Sequence, residues 1–400
     1  MANRTIDRRR ALQLMATTGF ASLAGCSGDS DTADSEDDGG DTETDDSDVT
    51  TADDATGGTT SEGTDEDSPP SGFETLWETE LLEDSPSADQ YTTATGADFL
   101  AVAVENVLYG IDTEEGTLSW EFSDGGDIDA LAVSDTHVFL HHSANTGPGT
   151  VYAVDQANGE KAGQRQGASD RLPMLALSDY VIIPHEYQSF DDGLYVMTPD
   201  GGLYGSLTEV PGVKWVDGEG DYVVVGRWDS SDNAGVVGHD LSVDTGSEQR
   251  WTLPDLELFD TTVIDGTLVA PNEDVFTLID IETGDRTDVS ADTELSSQGI
   301  VSAGGLAFQM HQGGTLHAVD PTAEAVAWTT EEGLDSLTRL TSTGDAIVLR
   351  HPDHYLALDP ESGEVLAQGG TPQEEPLSVT ANGQGLYSCG TTITAHDVEF

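Results

Sequence analysis

The feature that most constrains this chain is an aspartate that returns about every 40 residues, each time at the end of a short apolar stretch. The stretch reads LYGID at 108–112, VYAVD at 151–155 and YLALD at 355–359. Repeats of roughly 20–50 residues are typical of solenoids, propellers and related arrays, in which each unit buries its apolar face against the next. The repeat positions are Asp112, Asp155, Asp240, Asp280, Asp320, Asp359 and Asp397, with Thr198 in the third copy.

Each copy contains more than its aspartate. A second apolar stretch lies upstream, as at 99–104, 181–183 and 346–349, and its β-branched and aromatic residues between turn residues indicate a strand. Four residues after Asp112 and Asp359 comes a glycine, which predicts a tight turn. With a weak inner strand and an outer one, each copy holds about four short strands, which is one blade of a β-propeller. Outer strands are marked by tryptophans, namely Trp77, Trp120, Trp251 and Trp328.

The eight copies predict an all-β fold, an eight-bladed β-propeller of four-stranded antiparallel blades. The last copy stops at 397–400, before any outer strand, whereas a spare strand at 75–80 precedes the first copy. The spare strand around Trp77 resembles the outer strand around Trp120. We therefore expect the N-terminal strand to complete the last blade, which also covers an edge that would otherwise be open. The alternative is an open array whose ends do not meet.

The repeat resembles that of a known family. A strand ending in Leu-Tyr-Ala-Leu-Asp, then a turn ending in Thr-Gly or Ser-Gly, then tryptophan is similar to the PQQ-like propeller repeat of the quinoprotein dehydrogenases and the outer-membrane assembly lipoprotein BamB. The closest copies are 108–120, 151–159 and 355–363, and the resemblance covers roughly residues 75–400. It implies the eight-bladed fold, and it says little about function, because one fold carries many functions.

The resemblance raises the question of whether this chain binds a quinone cofactor. The quinoprotein dehydrogenases carry a calcium-binding Glu/Asn/Asp set, a catalytic aspartate and often paired adjacent cysteines. The two cysteines here, Cys26 and Cys389, are far apart, and no stretch matches that ligand set residue by residue. We therefore expect no cofactor, with neither PQQ nor calcium bound. The repeat aspartates lie in turns, where we expect a structural role, so we nominate no catalytic residue and no metal ligand.

The N-terminus has the pattern of an export signal and a lipid anchor. Arg8, Arg9 and Arg10 precede a modest apolar stretch at 11–24, as in twin-arginine signals, and the sequence Leu-Ala-Gly-Cys that ends at Cys26 resembles a lipobox. The apolar stretch is too short for a good transmembrane helix. We expect residues 1–26 to direct export and Cys26 to carry a lipid on the outer face of the cytoplasmic membrane. The alternative is an ordinary cleaved signal with a chance cysteine.

Residues 27–72 consist almost entirely of Asp, Glu, Ser, Thr and Gly. Such a composition offers too little apolar surface to offset the entropy of ordering, so we expect a disordered acidic stalk. The propeller then occupies residues 73–400. The threonines of the stalk are possible sites for O-linked sugars on composition alone.

The charge balance indicates the environment of the protein. Acidic residues number 77 and basic residues 13, which gives a formal net charge of −64. Such self-repulsion destabilises a compact state at ordinary ionic strength. Molar salt shortens the Debye length to about 3 Å and screens this repulsion. We interpret the composition as that of a halophile and, with the export signal, of a halophilic archaeon. It argues against nucleic-acid binding, which needs a basic surface.

Cationic and aromatic side chains recur where the second strand of successive blades ends. In a propeller these strand ends share one face, and variable loops on a rigid scaffold often carry binding. A simpler interpretation is that strand ends tolerate polar residues, and we do not expect His142 and His185 to form a metal site. The candidate binding residues are His142, which follows His141, and His185, Arg227, Trp228, His311, Arg350 and His351.

Three functions remain open from the sequence. The first is a membrane-anchored binding or scaffold propeller for a protein or extended polymer partner. The second is a quinone- or metal-dependent oxidoreductase, or another enzyme, with a site in the central channel. The third is a structural module of the cell surface. A role like that of BamB in outer-membrane assembly does not transfer to a cell with a single membrane.

Lipidation predicts that Cys26→Ser releases the protein into the medium, because a propeller without its lipid has no anchor. Fractionation of cells into membrane and medium, followed by immunoblotting, measures this. Cys389→Ser is the matched control, since that thiol lies in the predicted core and its loss leaves the anchor in place. Membrane association that persists in Cys26→Ser contradicts lipidation.

Overall fold

A computed structural model describes the part of the chain that the sequence assigns to the propeller. The described residues are 72–82, 91–142, 149–168, 174–177, 180–185, 193–207, 213–227, 235–243, 247–291, 295–311, 314–330, 339–351, 354–369, 378–383 and 385–398. These residues form strands and turns, and none of them is in a helix. Accordingly, no helix within the described ranges is long and apolar enough to cross a membrane.

The first four blades follow one another along the chain. Blade 1 contains β2 (Tyr91–Thr95), β3 (Phe99–Val104), β4 (Val107–Asp112) and β5 (Leu118–Phe122). Blade 2 contains β6 (Ile128–Val133), β7 (His137–His142), β8 (Gly149–Asp155) and β9 (Lys161–Ala168). Blade 3 contains β10 (Leu175–Ala176), β11 (Val181–His185), β12 (Gly193–Met197) and β13 (Leu203–Leu207). Blade 4 contains β14 (Val213–Glu219), β15 (Tyr222–Arg227), β16 (Gly235–Asp240) and β17 (Glu248–Pro254).

The last four blades complete the ring. Blade 5 contains β18 (Thr262–Ile264), β19 (Thr267–Asn272), β20 (Val275–Asp280) and β21 (Arg286–Ser290). Blade 6 contains β22 (Leu295–Ala303), β23 (Leu306–His311), β24 (Leu316–Asp320) and β25 (Ala325–Thr329). Blade 7 contains β26 (Arg339–Ser342), β27 (Ile347–Arg350), β28 (Tyr355–Leu358) and β29 (Val365–Gly369). Blade 8 contains β30 (Ser378–Asn382), β31 (Gly385–Cys389), β32 (Thr392–His396) and, from the start of the chain, β1 (Thr75–Glu80).

Every blade is a four-stranded antiparallel sheet in which neighbouring strands in the chain pair with each other. The predicted eight-bladed all-β propeller is therefore confirmed. Blades 2 and 3 depart from the pattern because the end of β9 also pairs with β11, through Ala168 and His185, so their strands form one continuous sheet. Elsewhere each blade is a separate sheet.

Burial explains why the middle strands are the most apolar. All six residues of β3 are buried, because a strand in the middle of a blade packs against a neighbouring blade on each face. Phe99 and Ala101 contact blade 2 residues such as Leu140, whereas Leu100 and Val102 pack against blade 8 residues such as Ile393. An outer strand such as β5 is mostly exposed, and Trp120 is its one buried residue. The core thus lies between blades and continues from one blade to the next.

The N-terminal strand closes the ring as predicted. Strand β1 pairs with β32 through Trp77 opposite Ala395 and Glu80 opposite Thr392, so the sheet order is β1-β32-β31-β30. The Trp77 ring lies 5.8 Å from the Tyr387 ring of the same blade. One blade is therefore built from both ends of the described chain.

Tryptophans on the outer strands connect neighbouring blades in a repeated way. Each indole N–H donates a hydrogen bond to the carbonyl oxygen of the residue after the repeat position in the next blade. The four pairs are Trp77 to Thr113 (3.0 Å), Trp120 to Gln156 (2.7 Å), Trp251 to Ile281 (3.0 Å) and Trp328 to Pro360 (2.8 Å). We call this arrangement the tryptophan lock. It satisfies the buried indole donor and positions each blade against its neighbour.

The turn that receives the tryptophan is shaped by its aspartate and glycine. Asp112 accepts hydrogen bonds from the backbone N–H groups of Glu114 and Glu115, both at 2.9 Å. Gly116 ends this turn with a φ of 68°, a left-handed conformation that favours glycine. A β-carbon on Gly116 would lie only 2.4 Å from the Trp77 ring, so the indole also needs a glycine there. The same contact recurs at Gly159, Gly284 and Gly363.

Blade 3 uses a tyrosine where other blades use tryptophan. The Tyr204 hydroxyl donates a hydrogen bond to the carbonyl oxygen of Leu241, at 3.1 Å, and Leu241 follows Asp240 in the next blade. Its ring lies 4.4 Å from that of Tyr180. The sequence analysis did not identify this contact, although Tyr204 follows position 198 at nearly the spacing of the tryptophans.

The closing strand predicts that Trp77→Ala lowers the free energy of unfolding by about 3 kcal/mol, near the lower end for buried aromatic residues because Trp77 is half-buried. Chemical denaturation in molar salt measures it. Leu76→Ala on the same strand is the matched control, since Leu76 is 51% exposed and should cost little. Equal stabilities of the Trp77→Ala variant and the unmodified protein would mean that β1 does not hold the ring closed.

Candidate binding face

The second strand of each blade ends, and the third begins, at the same end of the sheet. In blade 4, Arg227 at the end of β15 pairs with Val213 on the inner strand and with Gly235 on the third strand, and Gly235 pairs with Pro254 on the outer strand. This row marks one edge of the blade. We call the corresponding edge of all blades the loop face, defined by the described residues His142, Arg227, His311, Arg350 and His351.

The structure places these five residues on four blades. His142, Arg227, His311 and Arg350 each end a second strand, and His351 follows Arg350 directly. All five side chains are half-buried. They occupy equivalent positions around the ring and do not form one cluster, apart from the neighbours Arg350 and His351. His185 ends β11 in the same way. Trp228 lies outside the described residues, as do Cys26, Arg8, Arg9 and Arg10.

His141 is buried beneath the loop face. Its side chain is 2% exposed, and its Nδ1 lies 2.5 Å from a carboxylate oxygen of Asp129 on the inner strand. The other ring nitrogen, Nε2, lies above Gly149, where a β-carbon would approach it to 2.2 Å. This Nε2 has no hydrogen-bond partner within the described residues. The interaction with Asp129 fixes the orientation of the ring and links the first two strands of blade 2.

Arg227 is half-buried at the end of β15 and acts electrostatically on His239 of the same blade. Burial lowers the pKa of its guanidinium. The pKa of His239 is lowered to about 4, first by burial and then by the positive charge of Arg227. His239 is 6% exposed and precedes Asp240, at a position that is aliphatic in most blades, such as Ile111 in blade 1. It is therefore neutral at neutral pH, and Arg227 carries the positive charge of this region.

A cation and an aromatic ring that the sequence analysis did not nominate lie on the same side of blade 4. The Lys214 ammonium lies 4.3 Å from the centre of the Phe259 ring and 3.1 Å from a carboxylate oxygen of Glu257. Phe259 is 55% exposed, more than any other large apolar side chain among the described residues. Lys214 is one of two lysines in the chain. The scarcity of lysine was the one feature of the sequence that could have drawn attention to Lys214.

Two carboxyl groups near the inner strands of blades 4 to 6 are withdrawn from solvent, that of Asp217 fully and that of Asp260 in part. Asp217 is 1% exposed, accepts a hydrogen bond from the Thr261 hydroxyl at 2.9 Å and accepts another from the N–H of Gly218 at 2.8 Å. Burial raises its pKa to about 6, and these two hydrogen bonds oppose the rise. Burial also raises the pKa of Asp260, which accepts a hydrogen bond from Gly299 of blade 6. Both link neighbouring blades, which is a structural role.

Comparison with known proteins agrees with the PQQ-like repeat of the sequence and with the propeller fold. The family model described as PQQ_2, outer membrane protein assembly factor BamB, matches residues 46–215, somewhat less than half of the chain. No curated protein matches the sequence.

Solved structures resemble the chain over most of its length. BamB from Moraxella catarrhalis is 17% identical, with a TM-score of 0.57 over 82% of this chain and 98% of that one. Quinohemoprotein alcohol dehydrogenase from Comamonas testosteroni is 13% identical, with a TM-score of 0.53 over 82% of this chain and 76% of that one. The computationally designed protein Ika8 is 15% identical, with a TM-score of 0.61 over 79% and 98% of the two chains.

At these identities the likeness is one of fold. The similar structures include an assembly factor, an alcohol dehydrogenase and a computationally designed protein, so function must be argued from this chain's own residues. Among the described residues no group of three or more His, Cys, Asp or Glu side chains is arranged to hold a metal ion. The loop face is thus the arrangement from which a function can be argued.

The raised pKa of Asp217 predicts a pH-dependent stability. The unfolded carboxyl loses its proton near 3.8 and the folded one near 6, so folding becomes less favourable as the pH rises from about 4 to 6. In Asp217→Asn the amide oxygen can still accept from the Gly218 N–H, and the amide nitrogen can donate to the Thr261 hydroxyl, so both contacts remain without the charge. The variant should raise the free energy of unfolding by about 1–3 kcal/mol at pH 7.5.

Denaturation curves between pH 4 and 7.5 measure this effect, and the advantage of Asp217→Asn should shrink towards pH 4. Asp135→Asn, in an exposed turn, is the matched control and should differ little from the unmodified protein at any pH. A gain that does not change with pH would mean that Asp217 carries no charge penalty in the folded state.

Proposed function

We propose that this protein is a membrane-anchored binding scaffold whose loop face takes a protein partner outside the cytoplasm. The observation that carries the proposal is the position of His142, Arg227, His311, Arg350 and His351. They recur where second strands end and are all partly accessible. A rigid ring that presents side chains from several blades on one face suits an extended partner surface.

Charge supports the choice of this face. The chain has 13 basic residues against 77 acidic ones, so positive charge on its surface is scarce. Arg227, Arg350 and Lys214 lie at the ends of strands or beside them on the loop face. A partner that presents carboxylates, such as another acidic protein of the same environment, would be attracted here and repelled by most of the remaining surface.

Aromatic and partly buried groups add affinity to this attraction. The exposed Phe259 beside Lys214 offers an apolar anchor with a cation over its ring. Arginine and aromatic residues are the side chains that most often dominate binding energy at protein interfaces. Burial of Arg227 limits its hydration, so a partner carboxylate would displace little water from it. The name of BamB, an assembly factor, is consistent with a protein partner for this fold.

The proposed location follows from the N-terminus. A lipid on Cys26 would hold the protein at the outer face of the cytoplasmic membrane, and the acidic segment 27–72 would space the propeller from it. The net charge of −64 fits a halophilic archaeal cell, where molar salt screens the repulsion between carboxylates.

Cross-linking of intact cells at native salt, followed by mass spectrometry, tests the proposal. The test variant combines Arg227→Ala, His311→Ala and Arg350→Ala. We expect a recurrent partner whose cross-linked yield falls at least about tenfold in this variant, as for the loss of interface hot spots. The matched control combines Arg250→Ala and Arg286→Ala, which lie on β17 and β21 towards the opposite end of their blades.

The outcomes separate the candidate functions. A partner lost from the test variant and kept by the control supports the loop face. A partner lost equally from both variants would mean that overall charge, and not this face, holds it. If no partner is recovered while the purified full-length protein shows turnover after reconstitution with quinone, the scaffold proposal is wrong and a channel enzyme replaces it.

A further inference from the structure

A pair of histidines lies directly on the loop face of blade 7. His351 and His354 flank the connection between β27 and β28, and the N–H of His351 donates a hydrogen bond to the carbonyl oxygen of His354, at 2.9 Å. The next pair inwards is Arg350 opposite Tyr355. The two histidines are therefore cross-strand partners at the end of a hairpin, where the backbone holds them opposite each other.

The hairpin brings the two imidazole rings together. Their centres lie 4.6 Å apart, with an angle of 34° between the ring planes. Both side chains are half-buried, so solvent reaches them. Because side chains alternate along a strand, the pair shares the face of Leu349 and Leu356, whereas Arg350 and Tyr355 lie on the other face.

This separation suits two imidazoles bound to one metal ion. Imidazole nitrogens bind zinc at about 2.0–2.1 Å, so two rings in adjacent coordination positions have centres roughly 4.5–5.2 Å apart. The observed 4.6 Å falls in that interval. The hairpin hydrogen bond already fixes the backbone of both residues, so binding would require only side-chain rotation to point one nitrogen of each ring at the ion.

The ligand type decides which ions would bind. Imidazole nitrogen favours zinc, copper and nickel, whereas calcium and magnesium favour oxygen ligands. The many carboxylates of this chain attract every cation, and salt weakens that attraction. A pair of imidazoles distinguishes a transition metal from the sodium and potassium of a saline environment.

We propose that His351 and His354 form a binding site for a divalent first-row transition metal ion, with its remaining coordination positions open to water or to a donor group from another molecule. The site would have only two protein ligands, both on one hairpin. It is therefore compatible with the absence, among the described residues, of any group of three or more metal-binding side chains. It requires neither PQQ nor calcium, and it does not depend on the scaffold function.

Copper(II) chloride is the probe, added to the purified full-length protein in molar salt. Electron paramagnetic resonance should show one bound ion with nitrogen ligands, and isothermal titration should give its dissociation constant. Loss of one imidazole in His351→Gln or His354→Gln should raise that constant about 100-fold, because the chelate effect of two linked ligands is lost. Zinc chloride should compete for the same site only in large excess, because a nitrogen site binds copper(II) more tightly than zinc.

His137→Gln is the matched control, since His137 is a half-buried histidine on a different blade and outside the loop face. It should bind copper as the unmodified protein does. The proposal is wrong if neither His351→Gln nor His354→Gln weakens the binding, or if His137→Gln weakens it equally. Circular dichroism of each variant confirms that the fold is kept. The change His354→Cys, titrated with zinc chloride because zinc is redox-inert towards the thiolate, should recover part of the zinc affinity that His354→Gln loses.

Discussion

The fold depends on the contact between an outer-strand tryptophan and the aspartate–glycine turn of the next blade. The indole donates its N–H to a backbone carbonyl group and fills the space that a glycine without a β-carbon leaves open, as Trp120 does at Gln156 and Gly159. A single blade has no partner for its outer tryptophan. Each turn therefore becomes a complete structural unit only when the preceding blade is present, and the order of the blades is fixed by contacts between neighbours.

The same requirement explains why the repeat aspartates are best understood as structural. The carboxylate of Asp280 accepts hydrogen bonds from the backbone of Glu282 and Thr283, and that of Asp320 does the same for the residues after it. These oxygens are occupied in holding the turn that receives the indole. Any binding or catalysis by this propeller must therefore use other groups. The loop face offers such groups, because its connections differ in sequence from blade to blade.

Most of the fold was predictable from the sequence, because its signals are local and occur in every copy. The period of the aspartates indicated the number of blades, and the similarity of the Trp77 and Trp120 strands indicated the closing strand. The buried position of Cys389 was also predicted and is confirmed, since it is 0% exposed in β31. Polar residues at strand ends were recognised as a set because their position repeats.

Contacts that depend on a single blade or pair of blades were not predictable in this way. Tyr204 replaces a tryptophan in one blade only, and Phe259 meets Lys214 because it lies in the connection 255–261 between β17 and β18, whose path no repeat determines. The pairing of His351 with His354 depends on which residues face each other across one hairpin. The sequence analysis placed His351 at a strand end but had no register from which to recognise its partner.

The closing strand also affects when the molecule can finish folding. Among the described strands, β1 leaves the ribosome first and its sheet partner β32 last, more than 300 residues later. Seven blades are free to form during synthesis, while β1 waits without the strand that it pairs with. A chain that stops short of β32 therefore cannot close, so ring closure itself distinguishes complete polypeptides from truncated ones.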